Sequence, residues 1–527
     1  MMSSKSIDED NSVSWGRLKR KLMIKILQSK LNKSDKDKKT KPTKFVWATG
    51  GHSAAAGHGN LFKECYTMVL GQFAKPVFEA IGLDFEVRPF AMGATGSTLE
   101  ISGCVPQVFG TDVDFFYWDY GMTTGSCTHC VSHWVQRAAL LETIPAFGFD
   151  SRHFADVMKE TRDQGFGVFH FNRREHDTLA KTFAKSSGMS LEEMNQKMPP
   201  NIRGMNCDKR DNVGSENCKD TKWSKYDDPN EPCNKRMHQQ GWHPGWQAHA
   251  LIGHILAQFL LEVLDDALRE IHTNAQASDP QVFLDSLVKQ QLQDVADFRA
   301  KKFKVTWPFE KIEKKPELSN DVIFKQPNYC SIARMPAQMR YEGILLGGPK
   351  DGDFMDYSTY DRGHKQTEEF VFGAPHEKVE VMWTEGVYQA HCTKDMLQID
   401  HPDWFLGATQ NTTPTLILPS DREIEAYGDY TQQLVGYVSY CRAWPGAGFD
   451  KKKELEVLNY DDSFDNGGYN ITVNGHLVVD FIEVEGCIFL AHKGGYKFPK
   501  NNQGRFEFQF FTNLADKYVR FTTVMVW

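Results

Sequence analysis

The segment Lys44-Phe45-Val46-Trp47-Ala48-Thr49-Gly50-Gly51-His52-Ser53 reads as a buried strand that ends in two glycines and a serine. Far downstream, Gln240-Gly241-Trp242-His243-Pro244 places a histidine on a short loop, with a proline after it and a long apolar helix to follow. A serine hydroxyl is too weakly acidic to attack an ester unless a neighbour takes its proton, and imidazole suits that task near neutral pH. Ser53 and His243 are therefore the two halves of a candidate activated nucleophile. Each also has a plainer role: Ser53 as a helix N-cap before Ala54-Ala55-Ala56, His243 as a hydrogen-bonded loop histidine.

Other residues could complete such a site. Gly93, in Ala91-Met92-Gly93-Ala94-Thr95-Gly96, lets a backbone N–H approach a developing oxyanion because no side chain intervenes. The run Asp114-Phe115-Phe116-Tyr117-Trp118-Asp119-Tyr120-Gly121-Met122-Thr123-Thr124 adds Asp119, a carboxylate that can face the site, and Thr123, a hydroxyl donor.

In their order along the chain these blocks resemble the SGNH (GDSL-type) hydrolase superfamily, over roughly residues 44 to 270. Gly51-His52-Ser53 stands where that family has Gly-Asp-Ser, the Gly93 turn matches its second block, and the His243-Pro244 segment matches its last. The resemblance implies Ser53 as nucleophile, His243 as general base, and the amides of Ser53 and Gly93 as oxyanion donors. Three positions depart from it: Thr123 replaces the family's asparagine, Gln240 replaces the acid three residues before the histidine, and His52 replaces the aspartate. With an amide at 240, the chain either runs on a Ser–His dyad or draws its carboxylate from Asp119, Asp227, Asp228 or Glu231. An acid-to-amide change of this kind costs roughly 10⁴ in kcat in serine proteases.

The elements that must position these residues alternate between strand-like and helix-like texture from Lys44 to about Leu268, the signature of an α/β layer fold. Strands are expected over Phe45–Ala48, Phe85–Phe90, Phe115–Trp118, Ile144–Phe147 and Gly167–Phe171. Helices are expected over Leu61–Ile81, Ser132–Glu142, His153–Thr161 and Trp246–Ile271. The predicted fold is a three-layer α/β/α domain, flavodoxin-like and SGNH-type, over 44–275, with a cysteine-containing insertion at about 198–239. A proline-broken connecting segment follows over 276–370, and 371–527 reads as an all-β, sandwich-like domain suited to carbohydrate. There Asn474-Gly475 is a strong hairpin signal.

At 527 residues the chain exceeds the size at which one core stops growing, about 250–300 residues, so more than one domain is expected. A net charge of -8 argues against a nucleic-acid partner, and no glycine-rich phosphate loop follows a strand, so no cofactor is expected. Residues 1–43 are the basic exception, read as a disordered leader, with peripheral membrane contact through a short basic amphipathic helix as the alternative. Neither a spanning segment nor a secretory signal is evident. The eleven cysteines, three of them in the polar insertion, and sequons at Asn32, Asn411 and Asn470 nevertheless favour a secretory lumen or the extracellular space. Cys127-Thr128-His129-Cys130 could open a zinc site with Cys207, Cys218 and Cys233. Disulfides are the simpler account, and no metal is expected.

Tyr117, Trp118, Tyr120, Trp242 and Trp246 lie near the candidate site in sequence and would stack on sugars or acyl groups, or pack the sheet. Three functional readings stay open: a serine esterase acting on an ester such as a glycan O-acetyl group, a glycan O-acetyltransferase, or a catalytically degenerate carbohydrate-binding surface protein.

Overall fold

The computed structural model describes chiefly residues 9–34, 42–56, 65–91, most of 96–149, 167–171, 246–276 and 279–300, and separate strands between 329 and 526. Five strands, β1 (Lys44–Gly51), β2 (Asp84–Pro89), β3 (Phe115–Asp119), β4 (Ala146–Phe149) and β5 (Val168–His170), form one parallel sheet in the order β2-β1-β3-β4-β5. The expected strands all form, with ends shifted by a few residues. β1 is buried from Phe45 to Gly51, which is why it reads as a continuous apolar run rather than an alternating one.

Helices cover both faces of the sheet. On one lie α3 (Tyr66–Ala80) and α7 (Trp246–Ala275), whose Phe259 ring sits 4.8 Å from Phe169 and 5.1 Å from Phe171. On the other lie α5 (Val105–Phe109) and α6 (Thr128–Ala138), where Phe116 meets Trp134 at 4.7 Å and Phe109 at 5.2 Å. The helix α3 buries Tyr66, Val69, Leu70, Ala74 and Phe78, one stripe at helical spacing. At Gly253 an added Cβ would lie 2.6 Å from Val69 and 2.7 Å from the Tyr66 carbonyl, so a side chain there would push α7 off α3. Short helices α2 (Ser53–Ala56) and α4 (Leu99–Ser102) complete the connections.

The N-terminal segment corrects the sequence expectation. Residues 9–34 form a helix, α1, and Leu18, Leu22, Met23, Ile24, Ile26 and Leu27 are buried in the same core as the sheet, so this part is neither a solvated leader nor a helix with its apolar side on lipid. Its basic residues find carboxylates on other elements: Lys19 on Glu270 at 2.7 Å, Lys25 on Asp114 at 2.7 Å, and Arg17 and Arg20 on Asp294 of α8 (Pro280–Ala300). Local sequence shows the charges but not these partners. The expected connecting segment therefore opens with a helix that packs beside α1. No helix among the described residues is long and apolar enough to cross a membrane.

In the C-terminal half, β7 (Tyr469–Val473) pairs antiparallel with β8 (His476–Leu477), Val473 opposite His476, across the Asn474-Gly475 dipeptide. Further antiparallel pairs join β6 (Val438–Arg442), β9 (Cys487–Leu490) and β10 (Val519–Val526). The expected helix at His153–Thr161 lies outside the described residues.

Candidate functional site

The strand order reverses direction at β1. The chain runs outward from β1 to β2, then returns past β1 to β3 and continues through β4 and β5. In open α/β sheets the crevice at such a reversal, beyond the carboxyl ends of the strands, is where ligands bind. Here those ends are Gly51 and Asp119, which are register partners.

His52 follows Gly51 and extends the pairing by one bond, its N–H donating to the Asp119 carbonyl at 3.1 Å. Its own carbonyl accepts from Ala55 and Ala56, and its ring Nδ1 accepts from the Ala54 N–H at 3.2 Å. His52 is thus the N-cap of α2, the role the plainer reading gave to Ser53, and Ser53 becomes the first residue of the helix. With Nδ1 accepting, the neutral ring carries its proton on Nε2, which faces Asp119 Oδ1 at 3.8 Å. Gly51 admits no side chain: an added Cβ would lie 2.5 Å from Ala55 Cβ and 2.8 Å from the Asp119 carbonyl.

Asp119 is fully buried and accepts the Tyr66 hydroxyl on Oδ2 at 2.6 Å. The Tyr66 amide in turn donates to His249 Nδ1 at 3.2 Å, and the two rings stack with centroids 5.6 Å apart. His249 is buried in the first turns of α7. A continuous set of contacts therefore joins the start of α7 to the turn that carries Ser53. Sequence reasoning missed Tyr66 and His249. His249 shares its segment with His243, which was a signal, whereas nothing local marks Tyr66.

Thr123 is exposed and turns back on the chain, its N–H and its hydroxyl both meeting the Tyr120 carbonyl, at 3.1 and 3.3 Å. In this geometry the hydroxyl closes a turn after β3. Tyr117, Trp118 and Tyr120 are all fully buried, so the plainer reading of these aromatics as sheet packing holds. Burial raises the Tyr120 phenol well above its ordinary pKa, against a smaller opposing influence of the Gly51 backbone, and the group stays neutral. Gly93, Gln240 and His243, with the alternative acids Asp227, Asp228 and Glu231, lie outside the described residues.

Among the described residues no cluster of three or more histidine, cysteine or acidic side chains is arranged to hold a metal. Cys104 and Cys130 are disulfide-bonded, which takes the Cys130 sulfur of the C-x-x-C pair out of metal ligation.

No protein-family model matches the chain, and no curated protein does either. Solved structures similar to it include two of a two-domain esterase (CEX) active on acetylated mannans, the second co-crystallised with mannopentaose. The first is 10% identical at a TM-score of 0.33 and covers 92% of this chain and 91% of its own. The second is 11% identical at a TM-score of 0.32, over 92% and 90%. Scores of this size are too low to carry an argument about fold or chemistry.

Proposed function

We propose that the chain is a serine esterase-type hydrolase that cleaves an ester through an acyl-enzyme on Ser53, with O-acetylated glycans as the favoured substrate class. The observation that carries this reading is the place of Ser53: first residue of α2, directly beyond the capping His52, at the reversal of strand order. The segment bearing His243 leads in sequence into α7, whose first turns are tied through His249 and Tyr66 to Asp119. Trp242 and Trp246 flank His243 in sequence and suit stacking on a sugar ring.

In this mechanism Ser53 Oγ attacks the ester carbonyl while His243 takes its proton. The amides of Ser53 and Gly93 hold the oxyanion, and His243 returns the proton to the departing alcohol. Water, deprotonated by the same imidazole, then releases the acid. Gln240 orients His243 through its amide. Asp119 is a positioning residue for the turn that holds Ser53, through His52 and Tyr66, and Thr123 keeps the turn after β3. The site needs no metal or organic cofactor. The sandwich-like region, 371–527, is assigned to holding the glycan.

A fluorophosphonate probe tests the reading. Wild-type protein is expected to label and to release acetate from acetylated polysaccharide, and Ser53→Ala to lose both. Folded wild-type protein that takes no label, or label that survives in Ser53→Ala, overturns the assignment. Acetyl groups recovered on a sugar hydroxyl instead of in water would reassign the same nucleophile to acyl transfer.

A further inference from the structure

The two outer strands of the parallel sheet, among the described residues, are protected in different ways. One is β2, Asp84-Phe85-Glu86-Val87-Arg88-Pro89, whose charges and proline are of the kind that keep an edge strand from pairing with another chain. The other is β5, within Gly167-Val168-Phe169-His170-Phe171, a stretch with no lysine, arginine, aspartate, glutamate or proline. Apolar, aromatic segments of low charge favour strand addition. The Gly167 carbonyl accepts from Phe147 and the Phe171 N–H donates to the Phe149 carbonyl, both toward β4, so Val168 between them presents its N–H to the outer side. That N–H donates to Ser14 Oγ of α1 at 2.8 Å, and both residues are fully buried. At Gly167 an added Cβ would lie 3.3 Å from the Ser14 carbonyl, so α1 lies close against the edge. Trp15 fixes the contact: its Nε1 donates to Asp266 at 2.8 Å, and its ring meets edge-on the Phe259 ring that packs on Phe169. Lys19 adds ion pairs to Asp266 and Glu270 at 3.3 and 2.7 Å.

We propose that the first turns of α1 are an intramolecular edge cap: they take the place beside β5 where another strand would add, and when they are displaced this edge pairs with the β5 edge of a second copy of the chain. Pairing of two identical edges is self-complementary, since each strand offers the donors and acceptors that the other needs. An edge without charge has nothing to repel its own copy, whereas β2 carries such groups itself and needs no cover of this kind. A helix closes the edge without extending the sheet, because the Ser14 hydroxyl accepts the strand's N–H while the helix carbonyls are engaged within α1. In the strand order β5 stands two places from β3 and Asp119, so the cap does not rest on the esterase reading.

Amide hydrogen exchange and sedimentation velocity of the full chain test the cap. Ser14→Ala is expected to speed exchange of the Val168 amide about tenfold or more through loss of its acceptor. The Phe171 amide, bonded to β4, is expected to keep its wild-type rate. Ser14→Ala combined with Trp15→Ala, which loosens the helix start, is expected to sediment faster than wild type as concentration rises. Adding His170→Lys, a charge on the same strand, is expected to return the wild-type profile. A Val168 amide that exchanges at the wild-type rate in Ser14→Ala overturns the cap, and so does a double variant that keeps the wild-type sedimentation coefficient at every concentration. Faster sedimentation that survives His170→Lys puts the contact elsewhere and overturns the β5 pairing. If the double variant does not fold, Val168 exchange in Ser14→Ala alone decides.

Discussion

The Tyr66 hydroxyl donates a 2.6 Å hydrogen bond to the Asp119 carboxylate, joining the first residue of α3 to the last residue of β3. Both groups are fully buried, and the Tyr66 amide holds His249 on α7 at the same time. Tyr66→Phe leaves Asp119 one donor short in a dry setting. Denaturant unfolding should show a loss of about 1–3 kcal/mol. If the esterase reading holds, kcat should fall while KM changes little, because Tyr66 acts through the turn rather than on substrate.

Gly51 is packed from two directions, by Ala55 and by the Asp119 backbone. Gly51→Ala should cost about 1–3 kcal/mol through overpacking and shift α2 outward. A displacement near 1 Å at the nucleophile costs roughly 10²-fold in rate. Esterase assays on the folded variant check this, and unchanged turnover would show that α2 does not set the reacting geometry.

Asp114 is fully buried, accepts the Val46 N–H at 2.8 Å and faces both Lys21 and Lys25. Asp114→Asn removes the carboxylate that both ammonium groups face. Chemical denaturation should record a loss of about 3–5 kcal/mol. Replacing Lys21, Lys25 and Asp114 together with apolar residues of similar volume should recover most of it.

Burial pulls the Lys21 pKa down from 10.5 to about 8, against the attraction of Asp114 and with help from Lys25. Because the folded value is the lower one, the unfolded chain holds more protons between about pH 8 and 10.5, and stability rises through that window. Below pH 8 the charged ammonium carries its full burial cost, on the order of 3 kcal/mol. The stability of wild type relative to Lys21→Met should therefore increase from pH 8 to 10.5. A flat difference would place the Lys21 amine in water.

The strands were legible because a sheet covered on both faces demands unbroken apolar runs, and Phe45–Ala48 and Phe115–Trp118 are such runs. The pairing of Val473 with His476 was legible because the Asn474-Gly475 dipeptide between them is of the kind that two-residue hairpin loops need, tolerant of positive φ. The docking of α1 was not. Its Lys and Arg residues look like a solvated face until Asp114, Asp266, Glu270 and Asp294 are brought alongside, and those acids come from three distant parts of the chain. His52 was equally hidden, since a histidine ring that caps a helix has no local signature.

What the sequence by itself determined is the α/β order of the N-terminal half, the glycine-glycine strand end ahead of Ser53 and the candidate chemistry of a hydroxyl with an imidazole. These follow from side-chain periodicity and functional-group type, which are local properties. Only the tertiary structure decided that Asp119 meets His52 and Tyr66, that Tyr117, Trp118 and Tyr120 are core, and that the basic N-terminus is part of the fold. Each of those outcomes depends on which buried groups share one small volume, and chain order does not specify that until the sheet has closed around them.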